Sequence, residues 1–117
     1  MSFPNEELSK WIQLTNILSR GIYANSKAHG FWPDGDRNNG EAIALAHAEL
    51  SEALEALRDG NPPSKKAQGF TQVEEELADC IVRILDLAYG REWDVAGALV
   101  AKMKFNVGRP EKHGRKF

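Results

Sequence analysis

The sequence predicts an all-α protein, a bundle of four to five helices, and three observations predict it. Apolar residues recur at the 3.6-residue period of an amphipathic helix over four separate stretches. No stretch shows the sustained apolar/polar alternation that a half-buried strand requires. The breaks are rich in glycine and proline, and residues suited to capping a helix N-terminus follow them.

The first helix is expected from about Asn5 to Lys27, with Leu8, Trp11, Ile12, Thr15, Leu18 and Ile22 on one face and Gly21 as a local weak point. HGFWPDGDR ends it. Asn38 then caps a second helix, with Glu41 three residues on as in a capping box, and this helix extends to about Asp59. The loop GNPPSKKAQGF follows, and Thr71 with Glu74 forms a second capping-box pattern before a third helix to about Tyr89. Asp94 caps a fourth, which carries Val95, Leu99, Val100 and Met103 and ends near Gly108 and Pro110.

At 117 residues the chain is read as one domain over 1–117, with 42% hydrophobic and 27% charged residues in the range of soluble globular proteins. A net charge of −2 argues against a nucleic-acid partner. That average conceals a basic C-terminal end, where Lys102, Lys104, Arg109, Lys112, Arg115 and Lys116 are opposed only by Glu111. The lone Cys80 permits no intramolecular disulfide, no apolar run approaches the roughly 20 residues of a membrane span, and MSFPNEELSK lacks the segments of a signal peptide. A cytoplasmic protein with no membrane partner is the expectation.

In ELSEALEALRD, Leu50, Leu54 and Leu57 mark an expected buried face, and at about 100° per residue Glu49 falls roughly 80° from its centre beside Ala42, Ala46 and Ala53. Glu52 stands one turn later. In VEEELADCIVRILDLA the expected face is Val73, Leu77, Cys80, Ile84 and Ala88, and Glu76 with Asp79 repeats the same angular relation. One such pair is ordinarily a solvated flank, but two at one offset place four carboxylates on a common groove when the helices pack side by side. Crowded carboxylates repel, so their pKa values rise or a cation neutralises them. Oxygen-only ligands favour a hard ion, Mg²⁺ or Mn²⁺, completed by water and substrate phosphate. Glu6, Glu7, Glu55, Glu74, Glu75 and Asp86 lack the paired pattern and are read as surface or capping acids.

Glu49-x-x-Glu52 followed by Glu76-x-x-Asp79 resembles the paired motif of the all-α nucleotide pyrophosphohydrolases, the MazG-like superfamily that also contains dimeric dUTPases. HGFWPDGDRNNGE and KMKFNVGRPEKHGRKF are similar to stretches of its small single-domain members, so the likeness covers most of the chain. The resemblance implies an all-α NTP pyrophosphatase fold and Mg²⁺-dependent hydrolysis of a nucleoside triphosphate between the α and β phosphates, to the monophosphate and pyrophosphate. By this carry-over Glu49, Glu52, Glu76 and Asp79 are the metal ligands. Such transfer needs charge neutralisation and positioning more than covalent help. One carboxylate orients or deprotonates the attacking water, Glu49 and Glu76 being the first candidates.

Lys102, Asn106 and Arg109 fall within about 60° of one another on a helical projection, and family members present a similar trio to substrate. The competing account is a solvated helix end. Arg83 is placed either on phosphate or in a pair with Asp79 or Asp86. Trp32, flanked by Phe31 and Pro33, is read as a stacking partner for a base with His29 beside it, against the alternative that the aromatics plug the end of the bundle. Trp11, Trp93 and Cys80 are assigned to packing. The resemblance implies a homo-oligomer, a dimer or tetramer, with Trp32 and the C-terminal segment serving another copy. Two other readings stand beside the enzyme: a non-catalytic helical module that binds nucleotide or protein, and a related hydrolase of a phosphoribosyl nucleotide in histidine biosynthesis.

Overall fold

The computed structural model describes residues 4–117, and among them every long element is helical, with no β-strand. The elements are α1 (Asn5–Ala28), α2 (Asn39–Arg58), α3 (Gln72–Arg91) and α4 (Val95–Val107), with short 3₁₀ turns at Pro33–Gly35 and Glu111–Gly114. None is long and apolar enough to cross a membrane.

Local chemistry fixes each start. Asn38 accepts from the Glu41 backbone N–H at 2.9 Å but Glu41 does not reciprocate, so this cap is one-sided. Thr71 and Glu74 form a complete capping box: the Thr71 hydroxyl accepts from the Glu74 amide while the Glu74 carboxylate accepts from the Thr71 amide at 2.9 Å. Asp94 accepts from Gly97 at 2.8 Å. Only α1 starts without a side-chain cap, behind Pro4, and Glu6 and Glu7 supply the negative charge its first turn favours.

The centre of the fold is α3, which packs against both α1 and α2, while the main packing of α4 is on α1. Cross-contacts fix α2 and α3 as antiparallel: Arg91 meets Asn39 at one end, Arg83 meets Glu49 in the middle, and the Val73 amide meets Asn61 at the other. The face of α2 turned to its neighbours is Ala42, Glu49, Ala53 and Ala56, and the small side chains of the three alanines let the helices approach closely. The leucine face expected to be buried is open, with Leu50, Leu54 and Leu57 each about half exposed. Leu77 and Ile84 of α3 are likewise exposed, whereas Glu76, Cys80, Leu85, Asp86, Leu87 and Ala88 are buried. Periodicity shows that a helix has an apolar face but not which neighbour covers it. Trp11 and Trp93, read as packing residues, are also a little under half exposed.

A second anchor ties the α1–α2 connection to α3. Trp32 is buried, and its indole lies so close to Gly90 that a Cβ there would come within 2.3 Å of the ring. Tyr23 meets Trp32 edge-on at a centroid distance of 5.3 Å. Asp86, read from the sequence as a surface or capping acid, is instead buried beneath this plug. It accepts from Ser26 Oγ at 2.6 Å, Trp32 Nε1 at 2.9 Å and Arg37 Nη1 at 2.9 Å.

Candidate metal and phosphate cleft

A cleft of about 1130 Å³ lies over α3, walled on one side by α1 and on the other by α2. Its acidic floor is made by the antiparallel pairing of α2 and α3. Carboxylate oxygens of Glu49, Glu76 and Asp79 lie within 4.8 Å of one another. Glu49 and Glu76 are buried, Asp79 is half-buried, and Glu52 stands exposed at the rim, lining the same cleft outside that tight group.

The electrostatics divide the roles. Burial is the largest single influence on Glu49 and opposes its charge, but the Arg83 guanidinium, Nε to Oε1 at 2.8 Å, together with hydrogen bonds from Glu52 and Glu76, outweighs it and holds the carboxyl below its ordinary value. Glu76 has no such cation. Burial pushes it up to about 8, and the neighbouring Glu52 and Glu49 carboxylates add to the rise. Asp79 is raised too, by burial first and then by the charges of Glu49 and Glu75, with Lys66 and Arg83 pulling the other way. Near neutral pH the cluster therefore holds a proton on Glu76 and charge on Glu49.

The donor set fits a hard divalent cation. All its ligand atoms are carboxylate oxygens, no His or Cys stands among them, and the shifted acids are those whose repulsion a dipositive ion relieves.

The remaining expected site residues divide by location. His29 and Arg83 line the cleft, His29 with Nδ1 2.8 Å from the Asn25 carbonyl oxygen and Arg83 paired with Glu49 rather than with Asp79 or Asp86. Trp32 does not line it. Its ring is enclosed by Tyr23 and Gly90 and spanned by the guanidinia of Arg37 and Arg91, so the bundle-plug account fits its placement and no ring face is open to a base. Phe31, the next residue, is about half exposed and faces the cleft instead. Lys102, Asn106 and Arg109 gather on α4 and just beyond it, away from the acids of the same chain. There Arg109 reaches Asn106 at 3.5 Å, and both Arg109 and Lys102 lie over the Phe105 ring.

Two cleft residues, and one buried cation behind them, escaped the sequence reading. Lys66 lines it from the α2–α3 loop, and the sequence gives no periodicity in a loop by which to place it. Asp86 lines it as well, and a signal existed: it sits seven residues after Asp79, hence on nearly the same face of α3. Arg37 carries no local pattern and becomes visible only through its buried pair with Asp86. No protein-family model matches the chain, and no curated protein and no solved structure matches it either.

Proposed function

We propose that the protein is a Mg²⁺-dependent nucleoside triphosphate pyrophosphohydrolase of the MazG-like type, with Mn²⁺ able to substitute, working as a homodimer or homotetramer in nucleotide-pool cleaning. The convergence of the Glu49, Glu76 and Asp79 oxygens at the foot of a nucleotide-sized cleft carries this reading. In it these three acids, with Glu52 at the rim, hold the ion, which when bound neutralises charge on the polyphosphate.

The chain's own groups supply the rest. Glu49 is kept ionised by Arg83 and stands ready to orient a water and take its proton as the water adds at the α-phosphorus. The bond from that phosphorus to the α–β bridging oxygen breaks, and pyrophosphate leaves with the bridging oxygen. Glu76, protonated in the ion-free fold, would have to give up that proton to serve as a ligand. Phe31 and His29 form the wall at the base end, Phe31 in the stacking role first given to Trp32.

Assembly is supported by the openness of the protomer. Its radius of gyration is 16.5 Å, against about 13 Å for a compact chain near this length. Its accessible surface is 8709 Å², where a 13.0 kDa monomer is expected to expose about 6300 Å². Leu50, Leu54, Leu57, Leu77, Ile81 and Ile84 are exposed on α2 and α3, and a second copy would cover them. In such an assembly Lys102, Asn106 and Arg109 are available to the cleft of another copy.

The deciding experiment measures pyrophosphate release from a panel of ribo- and deoxyribonucleoside triphosphates with Mg²⁺, Mn²⁺ or chelator, for wild type and Glu49→Gln. Metal-dependent formation of pyrophosphate and monophosphate, lost in the variant, is the expected result. Release of inorganic phosphate, or of no product, would refute the reading, and the latter would favour a non-catalytic nucleotide-binding or protein-interaction module.

A further inference from the structure

A polyphosphate needs counter-charge beyond what a metal ion provides, and the cleft's own cations narrow to one residue. Among the described residues, the lysine and arginine side chains lining it are Lys66 and Arg83. Arg83 is committed to Glu49 at 2.8 Å. Lys102 and Arg109 lie outside the lining of the same chain, turned onto Phe105. Lys66 makes no ion pair within 4.0 Å among the described residues, although it shares the cleft with Glu49, Glu76 and Asp79.

The backbone of the loop that carries Lys66 is held in place. Ser64 is the keystone: its Oγ accepts from the backbone N–H of Lys66 at 3.2 Å and of Ala67 at 2.8 Å, and donates to the Glu75 carboxylate. Its amide donates to the Phe70 carbonyl at 2.8 Å, and the loop ends are closed by Gln72 N–H to the Pro62 carbonyl at 2.8 Å and Val73 N–H to Asn61 Oδ1 at 3.0 Å. Glu75 immediately precedes Glu76, so the loop is pinned to the very turn of α3 that supplies the acidic floor. Such a scaffold limits the entropy lost when the lysine engages a ligand.

We propose that Lys66 is a polyphosphate-binding residue of the cleft, supplied by the same chain as the acids and positioned by Ser64. This rests on the pyrophosphohydrolase reading and names a contact to the non-transferred phosphates, since the cation enters beside the metal floor rather than from the base end. A lysine donor to phosphate is a charge-assisted hydrogen bond, and its loss corresponds to about ten- to hundred-fold in affinity.

The test compares wild type with Lys66→Met, Lys66→Arg and Ser64→Ala. It combines steady-state kinetics on the best triphosphate with calorimetric binding of inorganic tripolyphosphate to the intact protein in Mg²⁺. Lys66→Met should raise KM and weaken tripolyphosphate by about ten-fold or more. Lys66→Arg should retain most of both, Ser64→Ala should fall between, and Mn²⁺ affinity should not drop in any of them. Wild-type values of KM and tripolyphosphate affinity in Lys66→Met would overturn the assignment. If wild type turns over no nucleotide, the enzyme reading fails, and tripolyphosphate binding alone then decides: loss in Lys66→Met upholds the anion site, and no binding by wild type removes it.

Discussion

Glu76 and Glu49 stand in one cluster with opposite protonation, and each consequence can be measured. Glu76 has an ordinary value of 4.5 and is pushed up to about 8 in the fold. The folded protein therefore keeps a proton that the unfolded chain releases above pH 4.5. That contribution to stability is full below 4.5 and is lost as pH rises through about 8. Asp79 acts in the same direction, and Glu49, whose value is lowered, acts oppositely with its contribution disappearing in acid. Thermal melts in chelator should show stability declining from pH 5 to 8, with Glu76→Gln flattening the slope. Adding Mg²⁺ at neutral pH should release a proton, visible as calorimetric heats that vary with the buffer's ionisation enthalpy. Glu49→Gln and Glu76→Gln should each abolish pyrophosphate release while circular dichroism stays unchanged. At Asp86 the stakes are structural. Asp86→Ala leaves the Arg37 guanidinium buried without its partner, so chemical denaturation should show a loss of about 3–5 kcal/mol.

Among the elements, the helices were legible and their neighbours were not. Helix starts at Asn38, Thr71 and Asp94 were readable because a cap is a local matter between residues three apart. The direction of burial depends on what lies across the gap. The Ala42, Ala53 and Ala56 face of α2 won over its leucine face because α3 approaches on that side, and moment arguments weigh large apolar residues above alanine. The paired acids were legible as a pattern, yet Glu49 lies within the buried face rather than on its rim, and only three of the four acids form the tight group. Trp32 was ambiguous for a physical reason: a loop aromatic has the same composition whether it meets a ligand or Gly90. Gly90→Ala drives a methyl into the indole and should cost about 1–3 kcal/mol despite alanine's better helix propensity. Thr71→Ala removes one half of the capping box and should cost about 1 kcal/mol, read from the same denaturation curves.

For the whole molecule, the excess of exposed leucine and isoleucine is the feature that a single chain leaves unresolved. Sedimentation at micromolar concentration should give a dimer or tetramer, and Leu54→Lys should shift it toward monomer with helicity retained. Sequence periodicity could reveal the amount of apolar surface but could not divide it between a protomer's interior and its neighbours. The arrangement around α3 has a further consequence, for the order in which the fold comes apart. Because α2 and α3 are stitched at both ends and in the middle, amide protons in the middle of α3 should be among the slowest to exchange with deuterated solvent. α1, held chiefly by α3 and by the Asp86 junction near its end, should exchange sooner. A transient opening would then peel away the Ile17 and Leu18 wall while Glu49, Glu76 and Asp79 stay assembled, so the acidic floor should outlast the chamber above it.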